Sequence, residues 1–176
     1  LEHLTDLYYR SVGHNGTFLL NFPVDKDGLI HPIDSAHAVD YHKLVAAELS
    51  DNLLKKASIK ASNVRDKKCF GPQHLTDGNY DSYWATEDGV TQASLEISLK
   101  GLQKVNRLML QEYIPLGQRV KKFSVDYYAQ GQWLPLKVKE ATTTIGYKRL
   151  LRFQTVSTKK LRIRFEESRG PLCING

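Results

Sequence analysis

Near position 57 the spacing of apolar residues changes, and this restricts the possible folds more than any other feature. Before it, apolar residues recur at helical intervals. Leu4, Leu7, Tyr8 and Val12 share one helical face, and Ala38, Tyr41, Val45, Leu49 and Leu53 share another. After it, they alternate. Ala93, Leu95, Ile97 and Leu99 are interleaved with Ser94, Glu96 and Ser98, and Phe123, Val125 and Tyr127 with Ser124 and Asp126. Leu161, Ile163 and Phe165 are interleaved with Arg162 and Arg164. Residues 105–110 and 150–153 are further strand candidates. Turn residues punctuate these runs at Asp88-Gly89, Pro115-Leu116-Gly117, Gln130-Gly131 and Ile145-Gly146. Short alternating strands separated in this way predict a β-sandwich or jelly roll. The boundary is expected at residues 56–58, giving a mainly helical segment 1–56 and a β domain 57–176.

The first segment holds one run of a different kind. Residues 17–20, Thr-Phe-Leu-Leu, follow the turn dipeptide Asn15-Gly16 and are apolar on both faces. A buried strand of a parallel sheet reads this way. Asn21, Phe22 and Pro23 end it. A second helix is expected over 35–54, capped by Asp34 or Ser35, with Lys55 and Lys56 suiting its C-terminal end. His37 and His42 are five apart, so they do not share a helical face as a metal pair would, and are read as solvent or interface histidines.

Composition narrows the classes of function. A chain of 176 residues with 41% apolar and 25% charged residues can build a core of one domain, or of one domain and a piece. It has no run of eighteen apolar residues, so no transmembrane helix is expected. A net charge of +6 raises nucleic-acid binding as a reading. The Lys and Arg residues do not gather on one predicted helix, however, and Arg162 and Arg164 are read as the wet face of a strand. Two cysteines, Cys69 and Cys173, are too few for a cysteine zinc site. They are read equally as a disulfide joining the start and end of the β domain or as two free thiols.

The string Leu7-Tyr8-Tyr9-Arg10-Ser11-Val12-Gly13-His14-Asn15-Gly16-Thr17-Phe18-Leu19-Leu20-Asn21-Phe22-Pro23, followed by Asp25-Lys26-Asp27-Gly28-Leu29-Ile30, resembles the end of the catalytic barrel of family 29 α-L-fucosidases. It departs from the family pattern where Val24 replaces a second proline. The resemblance implies that segment 1–56 is the last helix–strand–helix of a (β/α)8 barrel, since a whole barrel needs about 250 residues. Residues 17–20 would then pair with strands outside this chain. It also implies that Asn21, Phe22 and His31 edge the substrate pocket, because the carboxyl ends of barrel strands face the active site. Both catalytic carboxylates of such a retaining enzyme would come from earlier strands, so no catalytic residue is assigned here. Asp25 and Asp27 are read as solvated loop residues. Both ends of the chain are expected to fall inside a domain.

Residues 75–86, Leu75-Thr76-Asp77-Gly78-Asn79-Tyr80-Asp81-Ser82-Tyr83-Trp84-Ala85-Thr86, resemble the opening loop of discoidin-type domains. These are also called F5/8 type C or family 32 carbohydrate-binding modules. Tyr127, Trp133 and the Leu161-Arg162-Ile163-Arg164 strand fit the same pattern. Asp77, Asn79 and Ser82 place oxygen side chains in one tight turn, the donor type Ca²⁺ prefers. By resemblance a structural Ca²⁺ would take the carbonyl of His74, then Asp77, Asn79 and Ser82, and be closed by Ile174 and Asn175. Asn175 stands where the family has Glu, which removes a charge. The other reading is an Asx turn with no metal. Trp84 is read as core rather than as a sugar platform. Tyr80, Tyr83, Tyr113, Arg119 and His74 are the candidate sugar contacts.

Together these resemblances imply part of a retaining exo-α-L-fucosidase, periplasmic or secreted and bacterial. Its partners would be fucosylated glycans and the remainder of the barrel, with no catalytic cofactor. The rival reading is a non-catalytic carbohydrate-binding or adhesion module.

Overall fold

The computed structural model describes residues 1–176, which form two compact units, Leu1–Asn52 and Leu53–Gly176. The first unit contains α1 (Glu2–Arg10) and α2 (Pro32–Glu48). The buried residues of α1 are Thr5 and Tyr9, not the predicted Leu4, Leu7, Tyr8 and Val12, which are half-buried. Tyr9 reaches α2, where its hydroxyl donates to Oε2 of Glu48 at 2.8 Å. α2 begins three residues before the predicted start at 35. Pro32 at its first turn has a backbone already suited to a helix, and Nδ1 of His31, not Asp34 or Ser35, accepts from the amide of Ile33 at 3.3 Å. It ends at Glu48, and Leu53–Lys56 is a separate 3₁₀ turn in the second unit. No residue of α2 is buried within this chain.

Residues 17–20 are not a strand here, contrary to expectation, and Leu19 is 78% exposed. A strand is completed by a neighbour's backbone groups, and none of residues 17–20 takes part in a β bridge, whereas Val24 and Ile30 form one. Those two residues close a loop held by Asp25, whose Oδ1 accepts from the amides of Asp27 and Leu29 at 2.9 Å each.

The second unit is the β domain. β1 (Ser58–Ala61), β3 (Ala93–Leu110), β6 (Arg149–Ser168), β4 (Val120–Ala129) and β5 (Gln132–Pro135) form one antiparallel sheet in that order. A ribbon of β2 (Trp84–Ala85) and β7 (Cys173–Ile174) forms the second layer, and the whole is a discoidin-like sandwich. The predicted alternation is the buried pattern except that Asp126 is buried and Ala93 and Tyr127 are half-buried. Leu95, Ile97, Phe123, Val125, Leu161, Ile163 and Phe165 all point into one core, which Trp84, Leu172 and Ile174 cover from the ribbon side.

The sheet has fewer and longer strands than expected. Residues 93–99 and 105–110 are parts of one strand, as are 150–153 and 161–165. Their shared register shifts between Ser98 and Gln103, where Gly101 takes φ +81°, and again between Val105 and Arg107. A bulge bends a strand without ending it, so Gly101 lies inside β3 rather than between two strands.

Trp84 is fully buried, its ring 5.8 Å from that of Phe165 and its indole N–H donating to the carbonyl of Asn63 at 2.9 Å. Cys69 is exposed and Cys173 is buried, and both are free thiols. Burial pushes the Cys173 thiol up. No helix is long and apolar enough to cross a membrane.

Candidate functional site

The loop leading into β2 is built by side chains acting on its own backbone. Oδ1 of Asp77 accepts from the amide of Asn79 at 2.8 Å, and Oδ1 of Asn79 accepts from the amide of Asp81 at 3.0 Å. Two Asx turns in succession, with Gly78 at φ +72°, reverse the chain within a few residues. Oδ2 of Asp77 also takes the Ser82 hydroxyl at 2.6 Å and lies 2.9 Å from Nδ1 of His74. Burial works to raise the Asp77 carboxyl, but the hydrogen bonds from Ser82, His74 and the Asn79 amide outweigh it and hold the group below its ordinary value. The loop thus lifts Tyr80 to 68% exposure, with Asp81 exposed beside it.

Tyr80 forms one wall of a cleft of about 350 Å³. Tyr147, 58% exposed, is among the lining residues, with Tyr113, Ile114 and Pro115. Asp81 lies beside Tyr80 in this wall, and Gln111, Glu112 and Asn175 complete the lining. They come from the end of β3 and from beyond β7, which are laced together: the amide of Asn175 donates to the carbonyl of Gln111 at 3.0 Å, and Nε2 of Gln111 donates to the carbonyl of Tyr147 at 3.1 Å. Glu112 is a buried clamp. Its Oε1 accepts from the amides of Arg119 and Val120 at 2.7 and 2.8 Å, and its Oε2 accepts from that of Gly146 at 2.6 Å.

Of the candidate sugar contacts, Tyr80 and Tyr113 line this cleft and Tyr83, Arg119 and His74 do not. Tyr83 lies behind Tyr113, their rings stacked at 4.2 Å and 15°, and Phe70 follows at 5.1 Å. Burial raises the Tyr83 phenol first, with Cys173 and Tyr113 adding to it. Arg119 braces two loops, donating to the carbonyls of Pro171 at 2.8 Å and Leu116 at 3.2 Å. His74 belongs to the Asp77 network. In the first unit, Asn21 and His31 are exposed and Phe22 is half-buried. Sequence reasoning missed Tyr147, Asp81, Gln111 and Glu112. Only the turn at Ile145-Gly146 hints that Tyr147 is displayed, and nothing in the sequence indicates that it joins Tyr80.

As a Ca²⁺ site the expected set is a poor fit. It holds one carboxylate, Asp77, whose oxygens already receive donors from its own loop. Ser82 donates rather than accepts, and Oδ1 of Asn79 serves the backbone. Ile174 pairs with Trp84, and the neutral Asn175 uses its amide nitrogen on the carbonyl of Tyr80 at 3.3 Å. Ca²⁺ affinity rises with the charge count of the ligands, and the Asp77, Asn79 and Ser82 oxygens instead bond within their own loop, while Oδ1 of Asn175 alone is left without a partner.

Comparison with known proteins places this geometry in context. The F5/8 type C domain family model matches residues 58–174. Over 98% of its length the chain is 33% identical to the Arabidopsis thaliana protein Alpha-L-fucosidase 1, covering 34% of that protein. It is 32% identical, with a TM-score of 0.87, to a Ruminococcus gnavus GH29 fucosidase solved in complex with fucose, over 99% of this chain and 35% of that one. A Clostridium perfringens CBM32 module shares the fold at 14% identity and a TM-score of 0.61, over 71% of this chain and 96% of that one. The chain spans about a third of the length of the curated relatives it matches.

Proposed function

The chain belongs to the F5/8 type C domain family, and from that premise we propose that it is the carboxyl-side part of an exo-acting, retaining α-L-fucosidase with an accessory sandwich that binds carbohydrate. The observation that carries this reading is where the likeness runs. The F5/8 model begins at residue 58, yet similarity to α-L-fucosidases covers 98–99% of the chain, the helical first unit included. A free-standing binding module has no need of that unit.

The exposed apolar residues of the first unit support the same reading. Leu19, Val24, Leu29 and Ile33 are 58–78% exposed, so the unit leaves these apolar side chains for a neighbour to cover. In the whole enzyme the remaining barrel covers them and supplies strands on either side of residues 17–20. Asn21, Phe22 and His31 then stand at the rim of the pocket. Retention needs two carboxylates about 5 Å apart, one as nucleophile and one as acid/base; both belong to the part of the barrel outside this chain. The sandwich presents its tyrosine-lined cleft to the glycan, and the enzyme works in the periplasm or after secretion.

The test is hydrolysis of an aryl α-L-fucoside by the full-length protein, with the anomer released first followed by NMR. Release of α-L-fucose is expected. An intact mass of 20.0 kDa for the natural protein, or no turnover, would favour a non-catalytic carbohydrate-binding module.

A further inference from the structure

The charge of the cleft differs from that of the molecule around it. The chain carries a net +6, yet no lysine or arginine lines the cleft between Tyr80 and Tyr147, while Asp81 and Glu112 both do. The nearby arginines are committed elsewhere: Arg119 to the carbonyls of Pro171 and Leu116, and Arg149 to that of Ala141. From this geometry we infer that the cleft selects neutral, hydroxyl-rich sugars and rejects sugars bearing a carboxylate or sulfate. The inference rests on the carbohydrate-binding reading above and names the ligand class of that site.

The polar groups at the cleft are mainly acceptors. Asp81 is exposed and its carboxylate forms no ion pair. Oδ1 of Asn175 is a buried acceptor with no hydrogen-bond partner. A sugar hydroxyl can donate to the exposed Asp81 carboxylate, whereas the carboxylate of a sialic acid or a sulfate ester group brings only acceptors and a like charge to it. The two exposed tyrosines supply apolar ring faces with polar tips, against which the C–H face of a pyranose can lie. A volume of about 350 Å³ is at the small end of ligand sites, suited to a terminal sugar or two. Because binding forms no ion pair, affinity should be nearly flat with ionic strength.

The experiment uses full-length protein and a panel of neutral oligosaccharides without fucose, so that the catalytic pocket is not the site measured. Each is paired with its sialylated and its sulfated counterpart, and affinities are taken by calorimetry for the wild type, Tyr147→Ala and Asp81→Asn. The expected result is neutral ligands bound at least ~10-fold more tightly than their anionic partners. Tyr147→Ala should lose most of that binding, and Asp81→Asn should narrow the gap. Equal or tighter binding of the anionic partners through Tyr147 overturns the inference and leaves the carbohydrate-binding reading standing. No saturable binding by any ligand, or binding indifferent to Tyr147→Ala, overturns both.

Discussion

Three donors converge on the carboxylate of Asp77: the Ser82 hydroxyl, the His74 ring and the Asn79 amide. They stabilise the charged form in the folded state and hold the group below its ordinary value of 3.8. A carboxyl depressed on folding contributes stability above its unfolded pKa and loses it as pH falls through the folded one. The stability deficit of Asp77→Asn relative to wild type should therefore be full at neutral pH and shrink below about pH 4. Urea midpoints across that range check this, and a pH-independent deficit would mean that the charge is not what holds the loop. The sequence disclosed these oxygen-bearing residues by their spacing. It did not disclose that they bond to each other, because the direction of each side chain is set by the folded turn. Tyr80 and Tyr113 were legible for the same reason that Tyr147 was not: the first two lie in or beside recognisable loops, and the third faces them only after β6 closes the sheet.

At the scale of elements, alternation identified most of the buried face over 93–99, 123–127 and 161–165 but not where the strands stop. Residues 93–99 and 105–110 read as two strands, and the chain instead runs through Lys100-Gly101 as a bulge. A Cβ added at Gly101 meets nothing within 4 Å, so substitution there is opposed by backbone conformation alone. Gly101→Ala should cost roughly 1–2 kcal/mol, measured as a lower denaturation midpoint with an unchanged m-value. An unchanged midpoint would show that the bulge relaxes to another register. The error at residues 17–20 has the opposite cause. An apolar run predicts a strand, yet strand structure is a property of pairs, and no strand among these residues pairs with it. Likewise the helical periodicity of α2 was legible, while its start was set by the ring of His31, a cap the sequence does not advertise.

For the whole molecule, the similarity to fucosidases is shared by both units, while the cleft belongs to the second alone. The two should therefore be separable by mutation. Asn21→Ala in the full-length enzyme is expected to lower kcat/KM for an aryl α-L-fucoside about tenfold, of the order seen when one positioning hydrogen bond is lost, with glycan binding at the Tyr147 cleft unchanged. Unaltered kinetics would remove Asn21 from the pocket rim. Arg162 and Arg164, read from the sequence as the wet face of a strand, are spent on one buried carboxylate. Asp126 accepts from Arg162 at 2.8 Å and Arg164 at 3.1 Å.

The placement of the two tryptophans gives the sandwich its own optical reporter. Trp84 is sealed in the core, while Trp133 is half-buried under the guanidinium of Arg162 at 4.5 Å. Neither touches the cleft. Emission from Trp84 should be blue and resistant to a soluble quencher until the fold is lost, whereas emission from Trp133 is redder and open to quenching. Within the sandwich, the difference between the two signals then follows unfolding, and it stays silent when a sugar is added.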